Sequence, residues 1–335
     1  MDIITRPEEA VNVFLGIPSI LSHKIAEESE RWEVHKIRCS AVSARLAAIG
    51  QHARAYRMEH CAEDLVYRWC RSCGSRHIIS ASLCRDRFCP VCKWRLSLKR
   101  FSVMCQIVQG LRREYARSAW QFVTLTVENC APGDLRETMD EMLSAWDKIM
   151  KRRTTRRALL GWARSIEVTY NAKTKMLHPH FHVLLLWAED EEPNDLIINA
   201  WLETVSIRAV HKAQHAEVIH SLSSGLDSSD SPEELTGAVL ETFKYSVKDA
   251  DLQEMPLRLF KELDKEMRGR RMVAFGGKVK EYARALNAEV LMEEASEEED
   301  EDELNKCVSC GSLRVIEVVG RWTGDGYLWR RAERF

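Results

Sequence analysis

The stretch HPHFHVLLLW, residues 178–187, sets three histidines at alternate positions directly ahead of an apolar run. In an extended strand, side chains two residues apart point to the same side, so the imidazoles of His178, His180 and His182 face one surface of a sheet. Clustered imidazoles repel one another when protonated, whereas a divalent cation bridges neutral rings at close range. The pattern therefore predicts a metal-binding strand, and a structural histidine cluster is the alternative.

The segments on both sides of this stretch read as strands alternating with helices. β-Branched residues predict strands at 122–127 and 165–170, and the second strand reaches the histidines across a short polar turn at 171–176. Further elements are a short strand near 216–220 and helices at 135–150, 194–210, 257–267 and from the Gly276-Gly277 break to 287. Hairpin neighbours alternating with helices predict an α+β fold, in which an antiparallel sheet carries helices on one face.

One helix has a strong start signal, because Ser231-Pro232-Glu233-Glu234 combines an N-cap serine, a proline at the first helical position and a glutamate three residues after the cap. We expect this helix to run to about Asp249. Glu241, Tyr245 and Lys248 then share one face, away from the apolar stripe. A tyrosine phenol becomes a useful nucleophile once a lysine or a metal stabilises the phenolate. Tyr245 is thus a candidate nucleophile, and an amphipathic helix surface is the alternative.

The cysteines predict a zinc module. Cys70-x2-Cys73 and Cys89-x2-Cys92 have the spacing at which two tight knuckles present four thiolates to one tetrahedral zinc ion. Such an ion would fold a polar segment and hold Arg85, Arg87, Lys93 and Arg95 on a rigid platform for phosphates. Nearby Cys84 and His77 leave a ligand swap or a second metal open.

A second knuckle, Cys307-x2-Cys310, has only two ligands and reads as a half-site. It borrows ligands from Cys84, borrows them from another subunit, or is vestigial. The remaining cysteines are isolated in sequence, and we interpret them as packing residues: Cys39, Cys61, Cys105 and Cys130.

Composition bounds the class of protein. The 335 residues include 11 cysteines, 45% hydrophobic and 30% charged residues, and no apolar run approaches the length of a membrane span. Met1 to Ala10 lacks the features of a signal peptide, so we expect a cytoplasmic protein whose cysteines are thiols or metal ligands. The net charge of −2 hides a basic segment at 68–118, a basic cluster at 151–157 and an acidic run at 289–303. Such segregation is typical of nucleic-acid binders.

Three motifs occur in order: the strand Phe122-Val-Thr-Leu-Thr-Val, then His-Pro-His-Phe-His, then Tyr245-Ser-Val-Lys248. This order resembles that of the HUH endonucleases, and most closely the rolling-circle replication initiators of small bacterial plasmids. The resemblance extends from about residue 67 to residue 285, and it includes Arg87-Phe-Cys-Pro-Val-Cys-Lys-Trp upstream and Gly276-Gly277-Lys downstream.

The resemblance implies a metal-dependent site-specific DNA endonuclease and strand transferase with an HUH-type sheet. His180 and His182 would coordinate Mn²⁺ or Mg²⁺, with either Glu167 or His178 as the third ligand. Tyr245 would attack a phosphodiester to leave a 5′-phosphotyrosine and a free 3′-OH, and Glu241 would activate water for the terminating cleavage.

The implied partners are plasmid origin DNA, single-stranded or extruded at the nick, a host helicase and a host polymerase; no membrane partner is expected and a homodimer stays open. The expected DNA contacts are Arg85, Arg87, Lys93, Arg95, Lys99, Arg100, Arg152 and Arg153. If the protein is a different enzyme, the alternative is an HUH transposase or relaxase. If it is not an enzyme, the alternative is a non-catalytic zinc-containing DNA-binding regulator.

The predicted organisation has five parts: an N-terminal helical region (1–62), a basic zinc module with its following helix (63–118), the endonuclease domain (119–287), an acidic linker (288–306) and a cysteine-knuckle tail (307–335).

Overall fold

The computed structural model describes residues 14–15, 19–219, 238–239, 241–243, 247–286, 306–307 and 309–332, with side chains described from residue 29 onward. The helices are α1 Ser19–Ala48, α2 His52–Glu59, α3 Pro90–Glu114, α4 Leu135–Lys151, α5 Arg153–Ala158, α6 Leu196–Thr204, α7 Asp249–Glu254, α8 Leu257–Met267 and α9 Gly277–Ala285. The strands are β1 Phe14–Leu15, β2 Asp64–Cys70, β3 Arg76–Ala81, β4 Trp120–Thr126, β5 Leu159–Asn171, β6 Met176–Trp187, β7 His215–Ile219, β8 Val273–Gly276, β9 Val315–Trp322 and β10 Tyr327–Arg331.

The chain divides into two compact units. The first unit combines residues 1–93 with residues 295–335, and the second unit contains residues 94–294. The second unit is therefore an insertion in the sequence of the first. The five-part organisation expected from the sequence stays a prediction.

The first unit contains a five-stranded sheet in the order β1-β10-β9-β2-β3, in which only the β1–β10 pair is parallel. Its buried face lies against α1, where the Trp32 indole donates to the Tyr67 hydroxyl at 2.7 Å. Trp329 likewise donates to Ser29 Oγ at 3.2 Å. The residues expected to form a separate tail thus supply two strands and a buried tryptophan to this sheet.

The second unit contains an antiparallel five-stranded sheet in the order β7-β4-β6-β5-β8. Its central hairpin, β5–β6, turns where the amides of Lys173 and Thr174 donate to Asn171 Oδ1 at 3.0 and 3.1 Å. An asparagine side chain that caps a turn in this way fixes the hairpin locally. The predicted mixed fold and the predicted hairpin are confirmed.

Helices cover both faces of this sheet, so the expectation of helices on one face is wrong. On one face Phe122 and Leu184 pack into a core shared with α3 and α9. On the other face Phe181 contacts Trp146 of α4 and Trp201 of α6, with ring centroids 6.2 and 5.5 Å apart. The reason is visible in β6, whose uninterrupted apolar run from Val183 to Trp187 supplies apolar side chains to both faces.

Two predicted helices differ from the structure. Helix α6 ends at Thr204 rather than at residue 210, and the backbone beyond it pairs elsewhere, since Glu128 N donates to Arg208 O at 2.8 Å. The helix expected from 231 to 249 is described only at 238–239 and 241–243, and Lys248 has an extended backbone that precedes the separate helix α7. Asp249 and Asp251 occupy the first turn of α7, where acidic side chains favour a helix start. The acidic run at 289–303 lies outside the described residues.

Candidate functional site

The three histidines lie on β6, which is paired with β4 on one side and with β5 on the other in the sheet of the second unit. In the strand register His182 lies opposite Thr124 of β4, and His180 lies opposite Glu167 of β5. Directly opposed residues of an antiparallel pair project to the same face. The hairpin therefore brings the carboxylate of Glu167 to the face that carries the imidazoles.

Glu167, His180 and His182 form a compact, buried triad. Glu167 Oε2 lies 2.9 Å from His182 Nε2 and 3.4 Å from His180 Nε2, and the three residues are 2–8% exposed. Their potential donor atoms all lie within 4.8 Å of one another, so this group could hold a metal ion. Two imidazole nitrogens and one carboxylate oxygen form a donor set that leaves further coordination positions open.

The other ring nitrogens are held in ways that orient Nε2 toward Glu167. His180 Nδ1 lies 3.2 Å from the carbonyl oxygen of His178, and His182 Nδ1 lies 3.3 Å from the hydroxyl of Thr124. The carbonyl favours the tautomer in which His180 Nδ1 carries the proton and Nε2 keeps its lone pair. Phe122 stacks on His182 with the two ring centroids 5.6 Å apart, which fixes the plane of that ring.

His178 takes a different role from the other two histidines. Its Nε2 contacts the Thr126 hydroxyl, and its ring stacks on His180 with centroids 5.2 Å apart. Burial and the neighbouring His180 lower the pKa of His178, which favours the neutral ring. Among the described residues the group that could hold a metal includes Glu167 and not His178.

Glu241 approaches this triad from the helical residues described at 238–239 and 241–243. Val239 and Phe243 of that segment are buried in the core beside Phe122. Glu241 Oε1 lies 3.8 Å from His182 Nε2, and its side chain is 44% exposed. The carboxylate therefore lies where the Glu167–His180–His182 triad meets solvent.

The other two predicted catalytic residues are Tyr245 and Lys248. Tyr245 lies outside the described residues. Lys248 is exposed and has an extended backbone, so it does not share a helical face with Glu241 as the spacing predicted.

The structure corrects the predicted zinc site, because the cysteines form two groups rather than one. Cys61, Cys84, Cys89 and Cys92 make the first group, and Cys70, Cys73, Cys307 and Cys310 make the second. The predicted set of Cys70, Cys73, Cys89 and Cys92 is therefore wrong.

The β2–β3 hairpin explains this separation. Cys70 and Cys73 lie at its turn, whereas Cys61 precedes β2 and Cys84 follows β3, at the other end. Strand β2 has 7 residues, and a rise of about 3.3 Å per residue puts the two ends roughly 20 Å apart. One ion cannot reach both ends of the hairpin.

The first cysteine group is mostly buried. Cys61 Sγ lies 3.5 Å from the Sγ atoms of both Cys89 and Cys92, and Cys84 Sγ lies 3.7 Å from that of Cys92. Cys89 directly precedes α3, and Pro90 starts that helix. Cys61, interpreted from the sequence as a packing residue, is a member of this group.

The second group joins two segments that lie more than 200 residues apart in the sequence. Cys70 Sγ lies 3.6 Å from Cys310 Sγ, and Cys73 Sγ lies 3.6 Å from Cys307 Sγ. The hydroxyl of Ser75, 3.0 Å from Cys307 Sγ, lowers the pKa of the Cys307 thiol to about 6. Of the three possibilities raised for the second knuckle, none included Cys70 and Cys73.

The sequence does carry a signal for this pairing. Both knuckles read Cys-x-Ser-Cys-Gly-Ser, at 70–75 and at 307–312. This short repeat marks the two as equivalent halves, whereas the spacing rule for zinc sites favoured the nearer knuckle.

The predicted DNA contacts are dispersed over both units. Lys93 is only 7% exposed, so it is not available to a phosphate as expected. Arg152 donates to Glu203 Oε2 at 2.7 Å, which partly neutralises it, whereas Arg85 and Arg153 are exposed. The assignment of DNA-binding residues stays a prediction.

The fold and the sites define an α+β protein with a Glu-His-His group and two four-cysteine groups that could bind metals. A family model described as "Replication protein" matches residues 75–317. The chain belongs to this family, which confirms the predicted relationship to the replication initiators of rolling-circle plasmids.

Individual relatives agree with this assignment. The chain is 30% identical to "Protein rep" of Bacillus amyloliquefaciens over 293 residues, covering 80% of this chain and 86% of the relative. It is 28% identical to "Protein rep" of Streptococcus pneumoniae over 242 residues, covering 69% of this chain and 71% of the relative. It is 27% identical to "Protein rep" of Lactiplantibacillus plantarum over 266 residues, covering 77% and 82% of the two chains. No solved structure matches the chain.

Within the part of the chain that the structure describes, no helix is both long enough and apolar enough to cross a membrane.

Proposed function

We propose that this replication protein nicks and rejoins one DNA strand at a plasmid origin, using an HUH-type site built on Glu167, His180 and His182. The observation that carries this proposal is the buried triad, with the carboxylate of Glu241 3.8 Å from His182 at its solvent side. In a family of replication proteins, such a site is best explained as the centre of phosphodiester chemistry.

The donor set suits Mn²⁺ or Mg²⁺. Carboxylate and water favour both ions, and the two imidazoles add a preference for Mn²⁺ over Mg²⁺. When bound, the cation would act as a Lewis acid on the scissile phosphate and stabilise a nearby phenolate. Glu167 is assigned as the third ligand, since it faces both imidazoles whereas His178 contacts Thr126.

The chain's own residues would carry out the covalent steps. The phenol oxygen of Tyr245 forms a bond to phosphorus as the bond to the 3′ oxygen breaks, and the phenol proton passes to that oxygen through solvent. The products are a 5′-phosphotyrosine and a free 3′-OH primer. In the terminating cleavage water attacks the phosphorus of the regenerated site as the bond to the 3′ oxygen breaks; Glu241 accepts the proton of the water, and the 3′ oxygen takes a proton from solvent. Lys248 stays a candidate for phenolate stabilisation, but the helical spacing from Tyr245 no longer supports this role, because Lys248 has an extended backbone.

Zn²⁺ would have a structural role in the group of Cys61, Cys84, Cys89 and Cys92. Four thiolates close the coordination sphere of a tetrahedral ion, which is the arrangement of structural rather than catalytic sites.

Basic residues around this cysteine group and at 152–153 would bind origin DNA at the nick, single-stranded or extruded. A host helicase and a host polymerase would continue replication, homodimer formation stays open, and the expected location is the cytoplasm.

A nicking assay tests the proposal. The protein is incubated with Mn²⁺ and supercoiled plasmid carrying its own replicon, beside Tyr245→Phe and Glu167→Gln. We expect nicked circles with the native protein, none with Tyr245→Phe and fewer with Glu167→Gln. Binding to this plasmid without any nicking would contradict the proposal and favour a zinc-containing DNA-binding regulator.

A further inference from the structure

The two knuckles of the second cysteine group have the same backbone turn. Gly74 N donates to Cys70 O at 2.9 Å, and Gly311 N donates to Cys307 O at 2.7 Å. Gly74 and Gly311 have φ angles of 71° and 69°, in the left-handed region where glycine is favoured. Two equivalent turns thus present two cysteines each from segments that are far apart in the sequence.

The turns face one another at the distance that a shared ion requires. Four thiolates around a tetrahedral zinc ion, with Zn–S bonds of about 2.3 Å, have sulfur atoms about 3.8 Å apart. The measured separations are 3.6 Å for both Cys70–Cys310 and Cys73–Cys307, and all four sulfurs lie within 4.8 Å of one another. None of the four forms a disulfide.

Further contacts hold the knuckles in register around this point. Ser72 Oγ and Ser312 Oγ lie 2.8 Å apart, and Arg71 N donates to Arg314 O at 2.7 Å. The strand pairing then continues along the whole of β2, from Cys70–Val315 to Asp64–Arg321. The cysteine group therefore lies at the end of a regular strand pair.

We infer that Cys70, Cys73, Cys307 and Cys310 bind a second zinc ion, which fastens the C-terminal strands β9 and β10 to the N-terminal part of the first unit. Thiolates are the preferred zinc donors, and a four-thiolate set with two Cys-x2-Cys knuckles is the donor set of zinc ribbons. The second unit, residues 94–294, is inserted between the two knuckles in the sequence. The ion would therefore link the two sequence segments of the first unit that flank this insertion.

The two zinc sites would differ in accessibility. Cys73 and Cys310 are exposed, whereas Cys61, Cys89 and Cys92 of the first group are buried. A chelator would therefore remove the second ion faster than the first. This difference lets the two sites be distinguished in one sample.

Zinc content gives the first test, using full-length protein purified under reducing conditions. Mercurial release into a colorimetric indicator should yield two zinc ions per chain, and one from Cys307→Ser/Cys310→Ser. The control Cys105→Ser, on α3 and in neither cysteine group, should retain both ions. An unchanged zinc content in the double variant would overturn the inference.

Hydrogen exchange on the native sequence gives a second test that does not depend on a variant folding. Brief chelation should remove the more accessible ion and raise exchange of the β9 amides at least about tenfold, because local opening becomes easier. Exchange of the β4 and β6 amides should not change. Equal protection of β9 before and after zinc loss would contradict the fastening role. Neither test uses nicking activity, so the inference stands or fails independently of the proposed function.

Discussion

Replacing Glu167 with glutamine should weaken Mn²⁺ binding strongly, because the buried carboxylate faces both imidazoles. Glu167 Oε2 lies 2.9 and 3.4 Å from the two Nε2 atoms, so a cation there would lose one adjacent negative charge. A unit charge pair at 4 Å contributes about 4 kcal/mol at an effective dielectric constant of 20. The amide oxygen of the glutamine and a water molecule would recover part of this interaction energy. A net loss of about 2–3 kcal/mol of binding free energy corresponds to a roughly 30- to 150-fold weaker Kd for Mn²⁺.

The assay is titration of Mn²⁺ into the protein, following unbound Mn²⁺ by its electron paramagnetic resonance signal. His178→Ala is the matched control, since it removes the competing ligand and keeps the backbone carbonyl that faces His180 Nδ1. We expect it to change Kd by less than about threefold. A large loss in His178→Ala together with a small loss in Glu167→Gln would refute the ligand assignment.

Three further predictions concern stability, measured by chemical denaturation. Gly277→Ala should lower the free energy of unfolding by about 1–3 kcal/mol, because the φ angle of Gly277 is +56° and a Cβ there would lie 2.1 Å from Leu160 O. The control Gly133→Ala, with open space around the added Cβ, should not lower it, and equal effects of the two substitutions would contradict this explanation. Phe181→Ala should cost about 3–5 kcal/mol, because the ring is fully buried, and a loss below about 1 kcal/mol would show that the core relaxes around it. Arg164→Met should be neutral or stabilising by about 1–2 kcal/mol, because burial lowers the pKa of Arg164 to about 10 and its Nε and Nη1 have no hydrogen-bond acceptor among the described residues. A marked loss of stability would contradict this prediction and show that the guanidinium is needed.

The histidine strand and its hairpin could be predicted because their signals are local. Alternation places His180 and His182 on one face, and a short turn at 171–176 leaves few registers for Glu167 to adopt. The sequence leaves both Glu167 and His178 open as the third ligand, because the contact of His178 with Thr126, on a strand remote in sequence, depends on the tertiary fold.

The cysteine groups could not be paired from spacing alone. A Cys-x2-Cys unit predicts a knuckle and not the partner knuckle, which depends on the tertiary fold. Here the β2–β3 hairpin carries Cys70 to one end and brings Cys84 beside Cys61 at the other. The partner of the Cys70–Cys73 knuckle lies more than 200 residues away, just before the strand β9 that pairs with β2.

The most direct measurement of the central claim is the identity of the amino acid that becomes attached to DNA. The protein is incubated with Mn²⁺ and a single-stranded oligonucleotide containing its origin nick site, digested with trypsin and sequenced by tandem mass spectrometry. We predict a 5′-phosphonucleotide on Tyr245, absent without metal and absent in Tyr245→Phe. A covalent adduct on a different residue, or cleavage that persists in Tyr245→Phe, would contradict the mechanism.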